Sequence, residues 1–190
     1  MDTVLTTERL VLRPFTDADA ERLFELDNDS EVMRHLNGGE PITLAEVRAT
    51  TLPRLTRYHP CVDAPGFWAA QLRTTGEFLG WFAFEPVRPD RSDEISLGYR
   101  LRTAAWGHGY ATEGCRALVH RGFTELGVRR VTATTMAVNT RSRRVMTKAG
   151  LAHVRTFHQE WAHPLPGAEL GDVEYALRLE DWQQGTNRQR

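Results

Sequence analysis

The stretch Leu101-Arg102-Thr103-Ala104-Ala105-Trp106-Gly107-His108-Gly109-Tyr110-Ala111-Thr112-Glu113 decides how this chain is read. It follows a strand-like run from Glu94 to Leu101 and opens a helical run from about Gly109 to Leu126. A glycine-rich turn between a strand and a helix lets successive backbone N–H groups converge at the positive end of the helix dipole. That geometry suits a phosphate or pyrophosphate. Two familiar phosphate loops are excluded by letter. A dinucleotide fingerprint wants Gly or Ala where Thr112 stands, and a Walker loop from Gly109 reaches Gly114 but then presents Cys115-Arg116 in place of Lys-Ser/Thr. Neither a Rossmann cofactor nor a nucleoside triphosphate is favoured.

Outward from the loop, strands and helices alternate. Leu10-Val11-Leu12-Arg13-Pro14-Phe15 reads as a strand ended by its proline, and Thr16-Asp17-Ala18-Asp19 as the start of a helix with Leu23, Phe24 and Leu26 on its apolar face. A second helix is expected after Thr43, with Leu44, Val47, Thr51 and Leu55 at helical spacing and Pro53 kinking or ending it. Phe67 to Leu72 and Phe78 to Phe84 flank Thr74-Thr75-Gly76-Glu77, a hairpin signal, and Arg88 to Asp93 reads as a polar loop. Val131 to Val138 is strand-like, and Thr140 to Ala149 forms a short helix stopped by Gly150. Strands near Ala152–Gln159 and Val173–Leu179 follow. The expected domain is 1–182, with 183–190 as a disordered polar tail. The fold class is α/β (α+β): a single domain with a mixed, mostly antiparallel central sheet flanked by helices.

The 190 residues carry 24 Lys plus Arg against 25 Asp plus Glu, a net charge of −1, which argues against non-specific nucleic-acid or membrane binding. Cys61 and Cys115 lie too far apart in sequence for a CxxC site, and no apolar run approaches the roughly 20 residues of a membrane span. A cytoplasmic location is expected. His35, His59, His120, His153, His158 and His163 show no ligand spacing, so no metal is expected.

Trp106-Gly107-His108-Gly109-Tyr110-Ala111 resembles the Gln/Arg-x-x-Gly-x-Gly/Ala signature of GCN5-related N-acetyltransferases, with Gly109 and Ala111 on the last two fixed positions and Trp106 departing at the first. The longer form, ending in Thr112-Glu113, is similar to the branch of ribosomal-protein N-terminal acetyltransferases of the RimJ/RimL type. Thr7 to Pro14 looks like that branch's opening strand, Gly76 to Gly80 its hairpin and Glu94 to Tyr99 its central strand. Asn139 to Leu151 is similar to its Asn-x-x-Ser…Lys-x-Gly-Phe segment. The resemblance implies acetyl-CoA as co-substrate, an amine acceptor that is either a protein α-amine or a small molecule, and often a homodimer.

It also implies roles. The amides of Gly107, His108, Gly109, Tyr110, Ala111 and Thr112 would hold the pyrophosphate, Trp106 would be a further cofactor-binding residue, and main-chain groups of Tyr99 and Leu101 would run beside pantetheine. Amine acetylation needs a proton acceptor for the amine and a donor for the leaving thiolate. Glu94 is the expected base, with Glu85 and Asp93 behind it. Ser142 is the expected acid and Asn139 a partner of pantetheine, set against plain capping of the helix they open. Among Arg129, Arg130, Arg141, Arg143 and Arg144, a contact with the 3′-phosphate of CoA competes with a solvated face. A chain that kept the loop but lost turnover would instead be a CoA-binding sensor or scaffold.

Overall fold

Every residue from Phe78 to Phe84 is buried, the pattern of a strand covered on both faces. The structure, a computed structural model, describes residues 4–60, 64–159 and 164–187. Its strands are β1 (Leu5–Thr6), β2 (Leu10–Arg13), β3 (Tyr58–His59), β4 (Ala64–Pro65), β5 (Phe67–Leu72), β6 (Phe78–Arg88), β7 (Arg91–Leu101), β8 (Arg130–Met136), β9 (Ala152–Phe157) and β10 (Asp172–Arg178). Eight form one sheet in the order β1-β2-β5-β6-β7-β8-β10-β9, and β3 pairs with β4 apart from it. Every pairing in the large sheet is antiparallel except β7 with β8.

Helices cover the sheet unequally. On one face lie α1 (Ala20–Asp27), α2 (Ser30–Met33) and a run made of α3 (Leu44–Glu46), a π turn (Val47–Thr51) and α4 (Leu52–Leu55). Leu23, Leu26, Val47 and Leu55 pack there against Phe67, Ala69, Trp81 and Ala83. The π turn sits just before Pro53, which has no N–H and whose ring would clash with the carbonyl a turn earlier in a regular helix. On the other face, α5 (Tyr110–Thr124) and α6 (Thr140–Lys148) cover Phe82, Phe84, Leu97 and Val131. α5 comes in close because Gly114 and Gly122 leave room: a Cβ at Gly114 would stand 2.3 Å from the Phe82 ring, and one at Gly122 would stand 2.6 Å from that of Phe84.

Two expectations need correction. The polar segment Arg88 to Asp93 is not a loop, because β6 and β7 run on until Arg88 pairs with Arg91 across a tight turn. Residues 183–187 are not a disordered tail but the end of α7 (Leu179–Asn187), which docks through Trp182 at 5.5 Å from the Phe123 ring; 188–190 lie outside the described residues, as do Cys61 and His163. Among the described residues, no helix is long and apolar enough to cross a membrane.

Candidate active site

β7 and β8 are paired only from Glu94 to Ser96 against Arg130 to Thr132, and beyond that point they part. Among the described residues, no strand then lies beside the edge of β7. Arg102 donates its N–H to the Leu79 carbonyl, so by the alternation of an antiparallel ladder the even-numbered residues of β7 bond to β6. Leu97, Tyr99 and Leu101 therefore turn their main-chain groups into the gap. Tyr99 and Leu101, expected beside pantetheine, stand on this edge, and the Leu101 carbonyl already accepts from the Trp106 indole Nε1 at 2.8 Å, leaving only its N–H for a ligand.

At the end of β7 the chain turns through Gly107 (φ 81°) and Gly109 (φ 84°) into α5. A Cβ at Gly107 would meet nothing and one at Gly109 only Arg9 at 3.5 Å, so glycine is needed here for backbone conformation rather than for space. Among the described residues no oxygen accepts from the N–H groups of Gly107, His108, Gly109, Tyr110, Ala111 or Thr112; the first helical bond is from Glu113 N–H to the Gly109 carbonyl. The Trp106 N–H, by contrast, donates to the Thr103 carbonyl. Six free amides at the start of a fifteen-residue helix form an anion site, and the open strand edge beside them suits an extended arm. The loop and edge therefore fit a pyrophosphate bearing a pantetheine-like chain.

The loop is held from a distance. Glu113 accepts from the Thr7 hydroxyl at 2.6 Å, the Arg9 N–H at 2.8 Å and the Arg9 guanidinium at 2.7 Å, while Arg9 also donates to the His108 carbonyl at 3.0 Å. Burial alone would raise the Glu113 carboxyl, but these donors hold it below its ordinary range. Arg9 lies 4.7 Å over the Tyr110 ring, which stacks in turn with exposed His108. Sequence reasoning noticed these residues only as parts of motifs; their partnership spans 104 positions and has no local signal.

Across the gap, Asn139 caps α6, its side-chain oxygen accepting from the Ser142 N–H at 3.1 Å. The Ser142 hydroxyl does not cap. It lies 2.8 Å from the Tyr99 hydroxyl, which also donates to the Ser142 carbonyl at 2.9 Å. Tyr99 has one O–H proton, so once that is given to the carbonyl, the Ser142 hydroxyl is the donor between the two oxygens. Burial, opposed by Ser142, drives the Tyr99 phenol well above its ordinary range and keeps it protonated. Of the five arginines, Arg141 stands 5.0 Å over Trp106 at the gap, while Arg143 donates to the Ala137 carbonyl and Arg130 is paired on the opposite face.

That opposite face carries an open cleft of about 520 Å³ lined by Glu85, Glu94, Ser96, Arg130, Arg155 and Glu174, among others. Glu94, the expected base, lines this cleft, but its carboxylate accepts from Arg130 at 2.5 Å, and Arg130 also reaches Glu174 at 2.9 Å. Asp93 pairs with Arg91 at the hairpin end. Among the described residues no cluster of potential metal ligands occurs.

Residues 9–152 match the model of the family described as acetyltransferase (GNAT) domain. A curated relative, the FsC-acetyl coenzyme A-N(2)-transacetylase of Aspergillus fumigatus, is 37% identical over 94% of this chain and 77% of its own length. Among solved structures, a GNAT-family acetyltransferase from Bacillus anthracis superposes with a TM-score of 0.76 at 24% identity, covering 93% of this chain and 99% of that one. Spermidine N-acetyltransferase from Vibrio cholerae, solved with CoA and spermine, gives 0.74 at 10% identity over 93% and 99%. At these identities the two structures speak for the fold.

Proposed function

The chain belongs to the acetyltransferase (GNAT) domain family, and from that premise we propose that it transfers the acetyl group of acetyl-CoA to a primary amine by direct attack on the thioester. The observation that carries this reading is the joined pair of free surfaces: six unbonded amides at the head of α5, continuous with the unpaired edge of β7. Acetyl-CoA supplies an activated acyl group. The chain's own contribution is to bind the pyrophosphate on Gly107 to Thr112, to orient the arm along Tyr99 and the Leu101 N–H, and to present a hydroxyl, Ser142, at the gap for the leaving thiolate.

We favour a small-molecule amine as acceptor. In support, the relative at 37% identity carries an N(2)-transacetylase name, and the cleft behind the gap is open and holds three carboxylates, Glu85, Glu94 and Glu174. The alternative acceptor, a protein α-amine, follows from the likeness of Trp106 to Glu113 to the RimJ/RimL-type branch. Release of free thiol from acetyl-CoA against a panel holding diamines, amino-acid amides and short peptides tests both. Thiol release with at least one amine is expected. Tight acetyl-CoA binding by calorimetry without thiol release from any amine would make the chain a CoA-binding sensor or scaffold instead.

A further inference from the structure

Glu85 of β6 pairs directly with Ser96 of β7, and Ser96 is the last β7 residue joined to β8. Directly paired residues share a face of the sheet, so Glu85 stands one strand spacing, about 4.8 Å, from the point where the gap opens onto the acceptor cleft. Behind it lies His59 of β3, whose Nε2 is 3.5 Å from the Glu85 carboxylate, short of a formed hydrogen bond. The space for this pair is made by Gly66, where a Cβ would fall 2.5 Å from His59 Nε2 and 2.9 Å from Glu85 Cγ. Any other residue at 66 would push the two side chains out. The His59 Nε2 is buried and has no hydrogen-bond partner among the described residues.

Resting on the amine-acetylation reading, we propose that Glu85 is the catalytic base, with His59 as the positioning residue behind it, in place of the arginine-bound Glu94. As the amine nitrogen bonds to the acetyl carbon, one N–H proton passes to the Glu85 carboxylate. The C–S bond breaks, the thiolate takes up a proton from Ser142 or water, and the proton held by Glu85 returns through solvent to whichever group gave it, so the products are an amide and a free thiol. A carboxylate already committed to a guanidinium, as Glu94 is, would have to leave that partner first. Glu85 has no such partner in contact. Desolvation raises its carboxyl above the ordinary range, opposed by His59 and by the more distant charges of Arg54 and Arg57, which moves it toward the pH at which a base works best. A catalytic hydrogen bond that is long in the free protein and tightens with substrate is a common state of such pairs.

The test combines rates with a readout that needs no turnover. Glu85→Gln should lower kcat roughly 10²–10⁴-fold and remove the acidic limb of the pH–rate profile, with calorimetric affinity for acetyl-CoA unchanged. Glu85→Asp, which keeps the carboxylate but withdraws it, should be slower than the parent and retain that limb. His59→Gln removes a group that lowers the Glu85 carboxyl and should move the limb to higher pH, which a purely structural role would not do. By NMR at one fixed pH, the His59 imidazole resonances should differ between Glu85→Gln and the parent, with no substrate present. The proposal is overturned if Glu85→Gln keeps the parent's rate and acidic limb while Glu94→Gln loses both, or if the His59 resonances do not respond to Glu85→Gln. Failure of the parent to release thiol with any amine would instead count against the amine-acetylation reading, and the imidazole resonances would still decide the pair.

Discussion

Asn139 takes the capping role that competed with its expected contact to pantetheine, while the Ser142 hydroxyl does not cap and bonds instead to the Tyr99 hydroxyl at the gap. The two are therefore separable. Asn139→Ala should cost about 1 kcal/mol in denaturant melts, the usual loss of an N-cap. Ser142→Ala keeps the backbone N–H that Asn139 accepts and should melt close to the parent, while turnover at saturating substrate falls. Full turnover in that variant would assign thiolate protonation to solvent. Glu113 makes a similar point about distance. Its three donors come from Thr7 and Arg9, so Glu113→Ala leaves a partly buried cluster unsatisfied and should cost about 1–3 kcal/mol and weaken acetyl-CoA binding along with it.

At the scale of elements, α5 is held against the sheet by glycines that a helix would otherwise disfavour by about 1 kcal/mol each relative to alanine. Gly114→Ala places a methyl group against the Phe82 ring and should destabilise by about 1–3 kcal/mol in spite of the better helix propensity; a variant as stable as the parent would mean that the helix can shift freely. What was legible in the sequence was local. The loop, the starts of α5 and α6 and the Gly150 stop are written in residues whose backbone preferences act within a turn. What was not legible depends on register and packing. The turn between β6 and β7 looked like a longer loop because its flanking residues are charged and pair at the sheet's exposed end. The end of α7 looked like a tail because only Trp182, docked on Phe123, shows what holds it. The Glu94–Arg130 ion pair and the meeting of His59 with Glu85 join strands separated by 36 and 26 positions, and no spacing rule anticipates them.

For the molecule as a whole, the face bearing α1 is tied to the sheet by Asp19, fully buried, which accepts a fork of two 2.7 Å bonds from Arg13. Burial would raise its carboxyl, but Arg13, Thr16 and Arg22 together bring it down from 3.8 to about 2. A depressed carboxyl stabilises the fold above its unfolded value and loses that contribution as pH falls through the folded one. About 2 kcal/mol should therefore disappear between pH 3.8 and about 2, and Asp19→Asn, less stable at neutral pH, should lose correspondingly less over that interval in denaturant melts. The central claim, however, concerns where the cofactor lies. Amide-resolved NMR during titration with acetyl-CoA tests it most directly: saturable shifts should gather at Leu97, Tyr99, Leu101 and Gly107 to Thr112, with the even-numbered amides of β7 little moved. Saturable binding that leaves the Gly107 to Thr112 amides unshifted, or no binding at all, would contradict it.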